Sequence, residues 1–363
     1  MDANSRDRVR KVVVITGAAA GVGRAAAIRF ARAGARLGLV SRDRAALEGL
    51  REEVLAAGAA SVAIAALDVS DAHAVEEAAS RFEEELGPIE IWVNDAMLTV
   101  FSPVKDITPD EFRRVTEVTY LGVVHGCMAA LKHMRKRRDG RIVNVGSALA
   151  YRGIPLQSAY CGAKHAIRGF TASLRTELRH ERSGIGVSLV ELPAMNTPQF
   201  DWARTHTPRE PKPMGTIYQP EAAAEAIFRA ARTGAREYWV GWSTLLTIVG
   251  NMIAPDFMDR YLARHAVEGQ ETRKPVRPDR RDNLFEPVTE LHRTRGSFGA
   301  AARPRAVILP AGLTRAGIVG AGALCFSVLG LATMALLGRR ARSPAERSGG
   351  QGLQPARSIE LIS

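Results

Sequence analysis

Cysteine is scarce, with three in 363 residues, at Cys127, Cys161 and Cys325, and no two of them form a CxxC pair. That excludes a disulfide framework. The histidines form no cluster with metal-ligand spacing, so the sequence predicts a reducing compartment and no structural metal. Aromatic residues amount to only 6%. No homeodomain, zinc-finger or RRM signature accompanies the net charge of +12, so nucleic acid is not expected as a partner. Residues 1–10 are polar and charged, without an apolar core, and no secretory signal is expected there. The chain is instead rich in apolar residues, at 46%. That composition excludes a disordered protein, and the length is enough to bury a sizeable core.

After the polar tail of residues 1–10, short β-branched runs alternate with longer helical stretches. Strands are expected at 11–16 (KVVVIT), 36–40, 61–69, 89–94, 141–145, 186–192 and 237–240. Helices are expected at 21–33, 43–57, 72–86, 110–136, 158–182 and 221–232. The 110–136 helix begins after Thr108-Pro109, a cap and first-turn pair. Such alternation implies βαβ units and an α/β class of fold, a doubly wound parallel sheet of Rossmann type with helices on both faces. This catalytic domain is expected to span 11–243.

Residues 244–305 form an extension. Its first part reads as amphipathic helix interrupted by Pro255, suited to a membrane surface, a pocket wall or an oligomer contact. Residues 269–305 are rich in Arg, Asp and Pro without periodicity, and read as an extended, partly disordered linker. In the segment 306–338, the whole interval between Arg315 and Arg339 is uncharged. A bilayer core takes about 20 apolar residues in a helix, so a transmembrane or anchoring helix is expected. Residues 339–363 read as a basic, disordered tail. Arginines flank the run almost equally and assign no orientation. The expected location is therefore a membrane, with the catalytic domain on the cytoplasmic side.

The first chemical motif closes the first strand: Thr16, Gly17, then Gly21, Val22 and Gly23. Glycines here let the backbone approach a pyrophosphate, seated on the N-terminus of the next helix. At the end of the second strand stand Ser41 and Arg42, where a carboxylate would suit NAD; with Arg24 they suit the 2′-phosphate of NADP instead. Asp68 and Val69, ending the third strand, are placed to meet the adenine or to cap a helix. The second motif is Tyr160 and Lys164, which share a helix face at i and i+4. A nearby ammonium is expected to draw the phenol toward neutrality and make it a general acid/base. Ser147, at the end of the fifth strand, can hydrogen-bond a carbonyl oxygen.

In order and spacing these residues resemble the short-chain dehydrogenases/reductases, over residues 11–241. The resemblance implies that Tyr160 exchanges a proton with the substrate oxygen, that Ser147 orients it, and that Lys164 holds the nicotinamide ribose. Asn94 and Ala96 would lie by the cofactor, and Pro193 and Thr197 would contact its nicotinamide end. It also implies a homo-oligomer. Three departures stand out. The family's Asn-Asn-Ala-Gly reads Asn94-Asp95-Ala96-Met97, Ala194 replaces a Gly, and Thr119 occupies the position of a catalytic Asn. A Thr hydroxyl can substitute in part. Residues 197–220, with Phe200, Trp202, Met214, Ile217 and Tyr218, read as a substrate lid for an apolar carbonyl or alcohol, or as loop packing. Two rival readings are a nucleotide-binding redox sensor or scaffold without turnover, and a module whose basic linker binds anionic lipid.

Overall fold

Val13 and Ile15 of the first strand face one side of the sheet and Val12 and Val14 the other, and all four are fully buried. Burial on both faces is what a parallel sheet between two helix layers requires. The computed structural model describes residues 11–320, together with Ser327 and Thr333. In chain order its strands are β1 (Val12–Thr16), β2 (Arg36–Ser41), β3 (Ser61–Ala66), β4 (Ile89–Asn94), β5 (Val100–Phe101) and β6 (Gly140–Val145). They continue with β7 (Ile185–Glu191), β8 (Arg204–Thr205), β9 (Arg209–Pro211), β10 (Glu237–Val240), β11 (Glu271–Pro275) and β12 (Ile308–Pro310). Eight form one sheet in the order β12-β10-β7-β6-β4-β1-β2-β3. Its pairings are parallel except β10 with β12. The order reverses at β1, between β2 and β4, which opens the crevice where such sheets bind ligands.

One face is covered by α1 (Gly21–Ala31), α2 (Arg44–Ala56) and α8 (Pro220–Thr233), and Phe30 of α1 meets Phe228 of α8 with ring centres 5.2 Å apart. The other carries α3 (Ala72–Leu86), α4 (Pro109–Thr116), α5 (Gly122–Arg137) and α6 (Ser158–His180). Between them lies α7 (Gln199–Trp202) in the chain, and α9 (Gly241–Ile253) and α10 (Pro255–Gly269) follow β10. Thr108 caps α4 through a reciprocal pair: Glu111 N–H donates to its hydroxyl at 3.3 Å, and its own N–H donates to the Glu111 carboxylate at 3.0 Å.

Three expectations need correction. The single helix expected at 110–136 is broken by a π turn, Glu117–Leu121, between α4 and α5. Its extra residue coincides with the Thr119 hydroxyl binding the main chain of Leu98. Residues 269–305 are not a loose linker. The segment pairs β11 with β9 and fully buries Gln270 and Leu284, and the compact unit runs to Gly312. A few anchors and main-chain hydrogen bonds hold it, and a composition average does not register them. Within 306–338, residues 308–310 are strand β12 and 311–320 are helical. Most of the uncharged run, and the tails 1–10 and 339–363, lie outside the described residues. Among the described residues no helix is long and apolar enough to cross a membrane.

Strand β7 ends in a carboxylate where an apolar residue would be expected. Glu191 is completely buried, and its carboxylate lies against the Gly146 backbone so closely that a Cβ at position 146 would fall 2.1 Å from its oxygen. Burial first, and the neighbouring Glu237 carboxylate second, push its pKa up to about 8, while the Ser147 amide and Lys164 pull it back. The folded chain therefore holds a proton that the unfolded chain releases from about pH 4.3. Stability falls as pH rises through that window to about 8. Glu191→Gln is expected to flatten this dependence: a melting temperature close to the parent's at pH 5, and several degrees above it at pH 9. Parallel melting curves for the two proteins across pH 5–9 would show that Glu191 does not titrate there.

Candidate active site

The turn after β1 brings α1 to the crevice. Gly17 and Gly21 take φ of +70° and +57°, a region that favours glycine. The approach is tight: a Cβ at Gly23 would lie 2.3 Å from the Gly17 carbonyl oxygen, and one at Gly17 would lie 2.8 Å from Ala96. Thr16 stitches the turn to β4, its hydroxyl accepting from Asp95 N–H at 3.1 Å and Ala96 N–H at 3.3 Å. The result is a cavity of about 430 Å³ beside the N-terminus of α1. Gly17, Gly21, Val22, Ser41, Arg42, Asp68, Val69, Ala96, Pro193 and Thr197 all line it. A helix N-terminus, glycines that only a bare backbone allows, and a cationic side chain at the far end fit a dinucleotide.

Ser147, Tyr160 and Lys164 line the same cavity. Ser147 follows β6 and caps a short 3-10 turn, its hydroxyl accepting from Leu149 N–H at 3.1 Å. Tyr160 and Lys164 project from the first turns of α6. Lys164 is buried, donates to the Val145 carbonyl at 2.7 Å, and lies 5.5 Å from the centre of the Tyr160 ring. The phenol was expected to be drawn toward neutrality, and here its pKa moves the other way. Burial raises it, with the Cys161, Asp95 and Glu191 charges adding to the rise and only a Ser147 hydrogen bond opposing. The charges that act on Lys164 are instead those of two carboxylates. Burial lowers the ammonium pKa, and Asp95 and then Glu191 raise it. Asp95 in turn is raised by burial and lowered by Lys164 and the Gly23 amide.

Other expected residues sit elsewhere. Asn94 is interior: it donates to the Asn144 side chain at 2.9 Å and accepts from the Trp92 indole at 2.8 Å, tying β4 to β6. Thr119 is fully buried, and its hydroxyl both donates to Leu98 O at 3.0 Å and accepts from Leu98 N–H at 2.9 Å. Neither they nor Thr16 and Gly23 line the cavity. Arg24 turns away to the Ala19 carbonyl and Glu53. Arg42 does line the cavity, but its terminal nitrogens already donate to the carbonyls of Asn283 at 2.5 Å and Phe285 at 2.9 Å. Asp68 pairs with Arg114 and accepts from the Ser70 amide and hydroxyl, which hold its carboxyl below the usual range against the upward push of burial.

The other end of the cavity is apolar. Phe200, Trp202 and Met214 of the expected lid line it, whereas Ile217 and Tyr218 are buried in the domain. Thr244 and Thr247 of α9 and Met258 and Tyr261 of α10 complete this wall, so residues 244–263 supply part of the pocket wall. Sequence reasoning passed over Asp95 as a lining carboxylate, and Asn283, Val288 and His292, which also line the cavity. For the last three the only available signal was a pair of apolar residues, Leu284-Phe285, within a charged stretch.

Comparison with known proteins agrees with this geometry. Residues 11–207 match the short chain dehydrogenase family. An uncharacterized oxidoreductase of Bacillus subtilis, YxnA, is 31% identical over 284 residues, covering 78% of this chain and 80% of its own. Levodione reductase of Leifsonia aquatica is 36% identical over 193 residues, 53% of this chain and 72% of its own length. For the human dehydrogenase/reductase SDR family member 7, the match is 36% over 170 residues and spans half of that protein. An alcohol dehydrogenase of the archaeon Thermococcus sibiricus, solved with 5-hydroxy-NADP, superposes with a TM-score of 0.55 at 26% identity, over 63% of this chain and 95% of its own. The chain belongs to the short-chain dehydrogenase family, and is an oxidoreductase acting on CH–OH groups with a nicotinamide cofactor.

Proposed function

We propose that the protein is an NADP-dependent oxidoreductase interconverting an apolar ketone or aldehyde and its alcohol, with Tyr160 as general acid/base. One observation carries this reading: Ser147, Tyr160 and Lys164 line one cavity with the glycine turn at one end and an apolar wall at the other. The bound nicotinamide would supply hydride to the carbonyl carbon or accept it from the alcohol. Ser147 orients the substrate oxygen by hydrogen bonding, and the phenol, kept protonated by burial, donates its proton to that oxygen during reduction. Lys164, anchored on the Val145 carbonyl at 2.7 Å, would hold the nicotinamide ribose. Arg42 and Ser41, on the wall at the end of β2, suit a 2′-phosphate and support NADP over NAD. A second reading, nucleotide binding without turnover, draws support from Thr119, whose hydroxyl is committed to Leu98 where the family resemblance implies a catalytic Asn.

A membrane association is also proposed, with the catalytic domain cytoplasmic, resting on the uncharged interval between Arg315 and Arg339. The outer side of the pocket wall supports it. Leu246 and Met252 of α9, Ile253 and Phe257 are 63–76% exposed, an apolar surface beside the substrate end of the cavity. A homo-oligomer is proposed on family resemblance alone.

Cofactor oxidation followed at 340 nm against apolar ketones and aldehydes tests the first reading. Turnover should prefer NADPH to NADH, and Tyr160→Phe should lose at least 10²-fold in kcat, the scale of general acid/base catalysis. NADPH binding without turnover on any substrate would favour the sensor. Arg42→Ala should raise KM for NADPH about 10- to 100-fold, as for a lost charge-assisted contact, and leave NADH nearly unchanged. In vesicle flotation, the full chain should float with liposomes. A Leu246→Glu/Ile253→Glu variant should float less well, and an unaltered yield would assign these residues to another contact.

A further inference from the structure

Residues 283–298 carry no helix or strand, yet four of them line the cavity and others bond to residues around it. At the β2 end, the carbonyls of Asn283, Leu284 and Phe285 accept from Arg42, and Leu284 O also accepts from Arg114 at 3.1 Å. In the middle, His292 lies 3.0 Å from Asp43, the cap of α2, with its ring tilted against Trp202 at 5.6 Å between centres. At the glycine turn, Arg293 O accepts from Gly21 N–H at 3.0 Å. At the nicotinamide end, Gly296 N–H donates to Asn196 O at 3.0 Å and Phe298 N–H to the Asn196 side chain at 2.9 Å. Leu284 is fully buried and Val288 nearly so. Asn283, Pro287, Val288 and His292 line the cavity itself.

We propose that residues 283–298 are a strap that forms the outer wall of the dinucleotide site and must unlatch for the nucleotide to enter or leave. The inference rests on the nucleotide reading above and adds to it a gate on cofactor exchange. Two of the groups the strap holds, the Gly21 N–H at the start of α1 and the Arg42 guanidinium, are of the kind that bind phosphates. A dinucleotide laid along the crevice therefore meets the strap at both of its phosphate-binding ends. The strap is fastened by two buried apolar side chains, Leu284 and Val288, by surface ion pairs of Arg293 with Asp201 and Arg295 with Glu221, by the His292–Asp43 contact and by main-chain bonds to other loops, so it can lift as a unit while the sheet stays intact. Closed, it occupies the Gly21 N–H and the Arg42 guanidinium, and it must shift from both before they can take phosphates.

The test uses the full chain and NADPH, with stopped-flow fluorescence for association and displacement and hydrogen exchange read at residues 283–298. Two variants loosen the strap at separate points: Leu284→Ala at its anchor and His292→Ala at its latch. For the parent, NADPH should slow amide exchange in the strap. Each variant should speed strap exchange and raise both association and release rates at least tenfold, with a smaller change in Kd. The latch variant removes no buried core residue, so it carries the test if the anchor variant folds poorly. Binding seen in the variants but not in the parent would support the same gate in its fully shut form. Nucleotide rates unchanged while strap exchange rises would overturn the strap and leave the nucleotide reading intact. Absence of NADPH and NADH binding in all three proteins would overturn both.

Discussion

The site depends on how near α1 comes to the ends of β1 and β4. With Gly23 packed so that any Cβ would meet the Gly17 carbonyl at 2.3 Å, and Gly17 packed on Ala96 at 2.8 Å, the helix N-terminus has one position. Thr16 fixes the β4 side of the same junction through two backbone amides. Because interiors are close-packed, a side chain at either glycine would push the helix off the crevice instead of being absorbed locally. Every other feature of the cavity is set out from that junction. The Gly21 amide is the strap's attachment, the Gly23 amide is Asp95's partner, and Thr197 lies against Gly21.

Tight packing has an electrostatic consequence. Glu191 and Lys164 are buried and Asp95 and Tyr160 half-buried at the cavity, and desolvation is the largest influence on each of their pKa values. Desolvation favours the neutral form of every one of them. Lys164 favours the charged forms of Asp95 and Glu191, and they favour its own, each against the pull of burial. The proton affinities of Asp95, Glu191 and Lys164 are thereby driven closer together than those of the free side chains in water. A phenol held in its protonated form beside such a group suits the delivery of a proton to a carbonyl oxygen.

The alternation of β-branched runs and helices was legible because the strands of a doubly covered sheet are mainly apolar, as β1, β4, β6 and β10 are even with Glu90, Arg141 and Glu237 among their residues. Ser147, Tyr160 and Lys164 were legible because their spacing alone places them at one sheet edge and on one helix face. Thr119 and Asn94 were legible as positions and misleading as roles. Whether a hydroxyl faces the cavity or Leu98 depends on a π turn that no residue type announces. Whether an amide faces the cofactor or Asn144 depends on the neighbouring strand. Arg42 shows the same limit from the other side: the sequence placed it at the end of β2, but its present partners are more than 240 residues further along the chain.

Those partners are backbone carbonyls, which is why the C-terminal extension escaped a reading by composition. Its charge content says that it cannot build a core of its own, and it does not. It borrows one, inserting Leu284 into the core cluster that also holds Val115 and Val118, and its carbonyls accept from arginines of the domain. A segment fixed in this way gives up few apolar contacts when it opens, whereas the sheet beneath gives up many. The difference in stability between the two follows directly from the difference in composition. The polar character that reads as disorder in isolation is, against a basic rim, the property that makes a closure reversible.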